Sequence, residues 1–435
     1  MSKSNLQRAK GVRDFGPAEK IERDRIIETM KKVFESFGFS PIETPIIERY
    51  ETFASKFAQG EQSDAMKESF KFKDQGRRDL VLRNDFTVPL SRFVSMNSDL
   101  PMPFKRYQMG QIFRDGPLKL GRYREFWQCD VDIVGEPNFI DDVEILVVIQ
   151  SIFKALNLDV TIKLNNRKLL GALLDYYKIS KEAQTEFIIS LDKIDKIGKT
   201  GVLAELKTKN IDASSSESLI DLLSELSVSD ITNEEKINKL AGLDGFNSSA
   251  LEELTQTLAM INQNNISFIP NLARGLAYYT GNVFEVFLTD QSKLSSSLAG
   301  GGRYDAMMAE FTGLNLGGVG VGFGLETIFD ALNLVGSEPN RQTVTNIYVI
   351  PLGQNELKPA MEIASRIRQQ GFNVDVDKLD RKMKKKMEYA NKLNIPYVAV
   401  VGSDELASDS VMLKNMDTGE QKLIKVDNLS TEVKI

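Results

Sequence analysis

Apolar residues at Ile26, Met30, Val33, Phe34 and Phe37 recur at helical spacing and predict a helix from Ala18 to Phe37. Pro17 suits its first helical position and Gly38 its stop. An extended segment, Phe39 to Ile47, follows and is interrupted by Pro41 and Pro45. Strand-like stretches then lie between Leu80 and Asp132, notably Phe104 to Arg114 and Arg122 to Val134, separated by the turn cluster Asp115-Gly116-Pro117. From about Lys168 to Gln263 the pattern becomes helical and rich in Leu, Ser, Lys and Glu, which predicts an inserted helical module. Strand character returns at Val283 to Leu288, ahead of two glycine-rich stretches, Gly300-Gly301-Gly302 and Gly317 to Gly324. The polar run Gly336 to Gln342 has linker composition. Beyond it the apolar strands Asn346 to Ile350, Phe372 to Val376 and Tyr397 to Val401 alternate with helical segments Leu357 to Gln369 and Lys382 to Leu393, the pattern of a small α/β domain.

Strand side chains alternate between faces, so parity sorts them. From Arg122 onward, Arg122, Arg124, Phe126, Gln128, Asp130 and Asp132 share one face, with Tyr123, Trp127, Cys129, Val131 and Ile133 on the other. Arg83, Asp85 and Thr87 likewise share a parity. One such strand reads as a solvated sheet surface. Two of them side by side read as the floor of a site, because charges in such a place call for a polar ligand. Gly318, Gly320, Gly322 and Gly324 recur at every second residue of a strand. A face without side chains admits either a flat ligand against the backbone or close packing of a helix.

Composition narrows the chemistry. The 435 residues, 42% hydrophobic and 27% charged, are ordinary globular usage and suggest about two to four domains. No apolar run approaches the roughly 18–20 residues that span a bilayer, and Met1 to Asn5 has no secretory apolar core, so a cytoplasmic location is expected. With one cysteine, Cys129, and no histidine, a disulfide, an ordinary structural zinc site and any Ser-His or Cys-His catalytic pair are excluded. Chemistry is left to carboxylates, arginines, tyrosines and amides, with or without magnesium. The net charge of −6 disfavours indiscriminate nucleic-acid binding. Neither glycine-rich stretch makes a dinucleotide fingerprint or a P-loop.

Three motifs carry a family resemblance. The helix ending near Gly38 with the strand reaching Pro45 is similar to motif 1 of class II aminoacyl-tRNA synthetases. Phe113-Arg114 with Gly121-Arg122-Tyr123-Arg124-Glu125-Phe126-Trp127-Gln128 resembles motif 2, and Gly322-Phe323-Gly324-Leu325-Glu326 resembles motif 3. Arg274 to Gly281 (RGLAYYTG) and Gly301-Gly302-Arg303-Tyr304-Asp305 resemble the two signatures of histidyl-tRNA synthetases, and Gln128-Cys129-Asp130-Val131-Asp132 completes the pattern. The resemblance runs from Gly11 to near the C-terminus.

That resemblance implies an α+β catalytic domain on an antiparallel sheet (1–167 and 264–333), a helical insertion (168–263), a linker (334–345) and a C-terminal α/β anticodon-binding domain (346–435). It implies a histidine–tRNA ligase that forms histidyl-adenylate from ATP and then charges its tRNA, with Mg2+ accompanying ATP, no protein-bound zinc, and a homodimer built through motif 1. Asp85 and Thr87 would hold the histidine α-amino group and Gln128 its carboxylate. Asp132, Tyr279 and Tyr304 would line the imidazole pocket, with Tyr278 beside them or simply in the core. Arg274, Arg114 and Gln128 would be the catalytic groups, and ATP would lie against Arg114, Arg122, Arg274, Gly322, Gly324 and Thr327. Cys129 reads as a small buried residue and Asp130 as an ion-pair partner.

Departures from the family pattern sharpen the expectations. Thr327 stands where motif 3 normally has arginine, Ala277 where the first signature usually has an acid, and the motif 2 turn is short. Weakened ATP binding is expected, with Arg303 the candidate replacement cation and Thr327→Arg lowering the Michaelis constant for ATP. The rival reading is a histidine-sensing paralogue that serves as a regulatory subunit of ATP phosphoribosyltransferase. The densest basic run, Arg381-Lys382-Met383-Lys384-Lys385-Lys386, reads either as a solvated helix face or, within an anticodon-binding domain, as a contact for tRNA phosphates.

The absence of histidine carries its own expectation. A synthetase lacking the residue it activates remains translatable when charged histidine tRNA is scarce. Restoring histidine codons at exposed positions is therefore expected to slow its synthesis under histidine starvation, measured by pulse labelling; equal labelling of both forms would refute it.

Overall fold

An eight-stranded sheet organises the larger part of the chain. The computed structural model describes residues 6–55, 64–118, 121–228, 230–274, 278–336 and 341–433. Gly275, Leu276 and Ala277 of the first signature, and 337–340 of the linker run, lie outside the described residues. The strands are β1 (Ser40–Pro41), β2 (Phe104–Phe113), β3 (Glu125–Gly135), β4 (Val160–Asn166), β5 (Ile266–Phe268), β6 (Asn282–Leu288), β7 (Ala299–Arg303) and β8 (Gly317–Gly324). Their spatial order is β1-β2-β3-β8-β7-β6-β4-β5, antiparallel except for the β1–β2 and β4–β5 pairs at the two edges.

One face of this sheet is apolar. Helix α1 (Pro17–Ser36) lays Ile26, Met30 and Phe34 on it, beside Tyr107, Cys129, Val131, Ile133, Val319, Val321 and Phe323. Pro17 opens α1, as its missing N–H allows. Gly38, at φ +78°, closes it: Phe39 N–H donates to Phe34 O (3.1 Å) and Gly38 N–H to Glu35 O (3.0 Å), the paired bonds that end a helix on a left-handed residue. Helix α2 (Thr87–Met96) packs instead with α4 (Asp305–Thr312) in a separate cluster that holds Leu90, Val94, Tyr279, Val283, Tyr304 and Met308. Helix α3 (Ile140–Ala155) adds Ile145, Ile149 and Phe153 to the apolar face, Phe153 and Phe34 each standing 5.9 Å from the Phe323 ring. Among the described residues between Arg167 and Ala259 six α-helices follow one another with no strand between them. Their buried residues, such as Leu173, Leu219 and Leu254, join the same core, and the stretch belongs to the larger compact unit.

Asp14–Arg25 and the chain from Gly336 onward form a second, smaller compact unit. Its sheet comprises β9 (Ile347–Pro351), β10 (Val374–Val376), β11 (Tyr397–Val401), β12 (Ser410–Asn415) and β13 (Gln421–Lys425), in the order β10-β9-β11-β12-β13. Strands β10, β9 and β11 run parallel, which requires helical crossovers. Those are α6 (Gln354–Gln369) and α7 (Met383–Lys392). Ile347 and Val349 face Ile363 and Ile367 of α6, while Tyr348 and Ile350 face Ala390 of α7. The hairpin of β12 and β13 extends the sheet beyond the three predicted strands. Alternating polar residues such as Lys414 and Gln421 hide it from a search for apolar runs.

Close backbone approach explains one glycine directly. A Cβ on Gly301 would lie 2.0 Å from the carbonyl oxygen of Gly320 on the adjacent strand. Gly301→Ala is expected to cost about 3 kcal/mol or more, at the upper end of overpacking penalties, measured by denaturant unfolding.

Candidate active site

The second face of the large sheet carries buried charge. Arg106, Gln108 and Gly110 on β2 pair with Asp132, Asp130 and Gln128 on β3, and these pair with Gly320, Gly322 and Gly324 on β8. Gly320 and Gly322 continue into Gly302 and Gly300 on β7, then Val283 and Glu285 on β6. At Gly320 and Gly322 side chains of the neighbouring strand β3 fill the room beside the backbone, and at Gly318 and Gly324 Tyr304 and Thr327 do so. A Cβ at Gly320 would lie 2.0 Å from Asp132 Oδ1, and one at Gly322 would lie 2.5 Å from Gln128 Nε2.

Asp132 and Tyr304 meet as the resemblance implied. The Tyr304 hydroxyl donates to Asp132 Oδ1 at 2.5 Å, and burial together with that carboxylate pushes its pKa well above the ordinary tyrosine value. Arg106, fully buried, was not among the expected residues. Its Nη2 stands 2.5 Å from Asp132 Oδ2 as an ion pair without the alignment of a hydrogen bond. Gln128 Nε2 donates to Asp130 Oδ1 at 2.6 Å. Burial holds Asp130 up at about 8 and Asp132 above the usual carboxylate range, with Arg106 opposing both. The aromatic wall is continuous: Tyr278 lies 4.6 Å from Tyr279 and 6.5 Å, edge-on, from Tyr304.

Arg274 reaches the same face from a backbone in the left-handed region (φ +47°) that a non-glycine residue adopts only where its surroundings impose it. Its guanidinium pairs with Glu285 and lies over Gly300, where a Cβ would come within 2.6 Å of Nη1. Arg114, exposed, donates from Nε to Asn84 O (3.0 Å) and from Nη2 to Gln128 Oε1 (3.4 Å), with its guanidinium 5.3 Å from the Phe126 ring centre. Asp85 acts electrostatically on Arg114, Asp130, Asp132 and Tyr278.

Several expectations change. Asp85 and Thr87 do not share a strand face: Thr87 begins α2, and Asp85 Oδ1 accepts from the Thr87 and Val88 N–H groups, at 3.1 and 3.3 Å, as a helix-start acceptor does. Arg83 is buried and bound to Gln111 O and Thr44 O. Strand β3 begins at Glu125, so Arg122 and Arg124 precede its ladder with β2. Arg122 is exposed, and Arg124 pairs with Asp115 at 3.0 Å. Arg303 cannot replace a motif 3 arginine. It sits opposite Val319, five residues along β8 from Gly324, and is committed to buried Asp142 and to Asp305. Thr327, 6% exposed, donates to Gly121 O at 3.3 Å and packs under Gly121, whose φ is +75°. Glu326 beside it accepts from Trp127 N–H (2.9 Å), tying α5 (Leu325–Leu334) to β3.

In the C-terminal unit the basic run divides. Lys386 is buried, its ammonium bound to Pro351 O (3.0 Å) and 3.9 Å from Asp377. Arg381 pairs with Asp377 and the Tyr348 hydroxyl, each at 3.2 Å. A phosphate role for these two is corrected, because their charge is spent on a buried carboxylate. Lys382, Lys384 and Lys385 remain exposed.

Comparison with known proteins adds the family context. Residues 11–328 match the histidyl-tRNA synthetase family model and residues 346–434 match an anticodon-binding domain model. A histidine–tRNA ligase 1 of Bacillus cereus is 39% identical over 431 residues, 98% of this chain and 99% of the relative. The histidine–tRNA ligase of Helicobacter pylori is 37% identical over 94% of each chain. A crystal structure of histidyl-tRNA synthetase from Nostoc sp. superposes with a TM-score of 0.83 at 29% identity, covering 99% of both chains.

The packing at Thr327 reverses the sequence expectation. An arginine there would have to displace the Gly121 turn, so Thr327→Arg is expected to cost about 1–3 kcal/mol of stability. It is expected not to lower the Michaelis constant for ATP, as parallel unfolding and ATP titrations of both forms would show.

Proposed function

We propose the reaction from a plain premise: the chain belongs to the histidyl-tRNA synthetase family. It is a histidine–tRNA ligase, which activates histidine with ATP and transfers it to tRNA. The observation that carries this reading is the Asp132–Tyr304 pair on a charged sheet face walled by Tyr278 and Tyr279. Since the Tyr304 hydroxyl donates its hydrogen bond to Asp132, its oxygen can accept a ring N–H, and a site that pairs such a group rejects analogues lacking it. Asp85 and Thr87 receive the α-amino group, and Gln128, anchored on Asp130, lies at the carboxylate.

The nucleophile is that carboxylate, already ionised near neutral pH, so activation needs alignment and charge neutralisation rather than a protein base. Arg274, held by Glu285 and kept protonated by it, faces the α-phosphate. Arg114 and Arg122 take the remaining phosphates or the adenine, and Gly322, Gly324 and the Thr327 hydroxyl line the nucleotide side. Mg2+ enters as the counter-ion of ATP and so as part of the substrate.

In the C-terminal unit, Lys382, Lys384 and Lys385 supply tRNA phosphate contacts. Homodimer formation draws on motif 1, the helix ending near Gly38 and the strand reaching Pro45, beyond which Ile46 and Ile47 stand exposed. Among the described residues no helix is long and apolar enough to cross a membrane, and a reducing cytoplasm suits a chain with a single buried thiol. Full-length similarity to ligases, C-terminal module included, favours this reading over a regulatory subunit.

Pyrophosphate exchange into ATP tests it. Exchange should depend on histidine and on no other standard amino acid comparably. Arg274→Ala should lower the rate about 100–1,000-fold, the cost of removing one charge-stabilising donor. Equal exchange with another amino acid would overturn the assignment.

A further inference from the structure

We propose that Arg106 is a positioning and specificity-determining residue for the amino-acid pocket: it holds Asp132 charged and in one orientation, and so directs the Tyr304 hydroxyl. The inference rests on the reading of Asp132 and Tyr304 as the imidazole pocket and adds the residue on which both depend.

Three strands cooperate on this one carboxylate. From β2, Arg106 stands in register with Asp132 and brings Nη2 to 2.5 Å from Oδ2. From β8, Gly320 stands in register on the other side and leaves the room that Asp132 Oδ1 occupies. From the loop after β7, Tyr304 donates to that same Oδ1. The charge balance explains why a cation is needed. Asp130 adjoins Asp132 on its own strand, and Asp85 acts on both from the start of α2, so Asp132 faces two further carboxyl groups inside protein. Unopposed burial would protonate it. A protonated Asp132 would carry its own O–H, Tyr304 would no longer be forced to donate, and the ring-facing hydroxyl would lose its set direction.

A purely structural role fits poorly. A buried ion pair stabilises a fold no better than apolar residues of the same volume. Arg106 is also under-used as a structural donor. Its Nε and Nη1 have no hydrogen-bond acceptor among the described residues, and its contact to Phe86 O is long, at 3.5 Å. What the guanidinium does supply is charge, at Asp132.

The test is histidine-dependent pyrophosphate exchange on the full chain with Arg106→Met, Arg106→Lys and Asp132→Asn. Arg106→Met is expected to raise the Michaelis constant for histidine about 100-fold, the scale for losing a charged hydrogen-bonding partner, with the ATP constant and kcat changed less than about fivefold. Arg106→Lys is expected to recover most of the loss. Packing alone predicts the reverse order, with methionine, the apolar replacement, tolerated and lysine not. The double variant R106M/D132N removes both charges and keeps the protein folded should Arg106→Met alone fail. It is expected to match Asp132→Asn rather than add to it. If Asp132→Asn raises the histidine constant and Arg106→Met does not, or the double variant is additive, Arg106 does not act through Asp132 and the proposal falls. If Asp132→Asn leaves the histidine constant unchanged, the imidazole-pocket reading fails first and takes the proposal with it.

Discussion

A carboxylate buried within a β-sheet constrains its neighbours on both sides. Ordinary sheets cover one face with apolar side chains and let the other meet water. Here the face opposite the α1 core is covered too, and it still holds Arg106, Asp130 and Asp132 almost without exposure. Such groups persist only when paired and given space. The pairing comes from β2 and Tyr304, and the space comes from the glycines of β8. The same arrangement recurs at Arg274, whose guanidinium occupies the room left by Gly300 and is neutralised by Glu285. At Gly320 and Gly322 the missing side chains are the imprint of the polar side chains of β3.

Much of this was legible in the sequence, because a strand with period-two alternation reports its own faces. The parity of Gln128, Asp130 and Asp132 against Cys129, Val131 and Ile133 survives intact. Arg106 and Gln108 alternate with Tyr107 and Met109 in the same way, and that signal was available. Only register across strands, which one sequence does not state, shows that Arg106 meets Asp132. Asp85 and Thr87 were misplaced because a residue parity continues through a chain even where the strand has ended and a helix begins. The alternation along β3 and the helical stretch were readable because each is a local period.

Side chains at the ends of elements were not readable. Arg303 lies next to glycines in sequence, yet its guanidinium turns toward Asp142 of α3. Thr327 reads as a missing charge, although its environment is the underside of a turn at Gly121. In α7 the clue was helical periodicity. Lys386 and Ala390 are four residues apart and both buried, with Met387 packed beside Ala390, so Lys386 belongs to the inward stripe despite its charge. A run of like charges hides the one member that faces inward.

Strand β9 raises a different matter. Four of its five residues serve two cores in alternation, Ile347 and Val349 toward α6, Tyr348 and Ile350 toward α7. A one-residue slip would exchange the two sets at once and carry the Tyr348 ring into the cluster that holds Ile363 and Ile367. The exposed Asp417–Glu420 turn between β12 and β13 is under no such restriction, with Gly419 at φ +76°. Within this unit, inherited insertions and deletions are therefore channelled: the turn can change length, while the central strand is in effect read in frame.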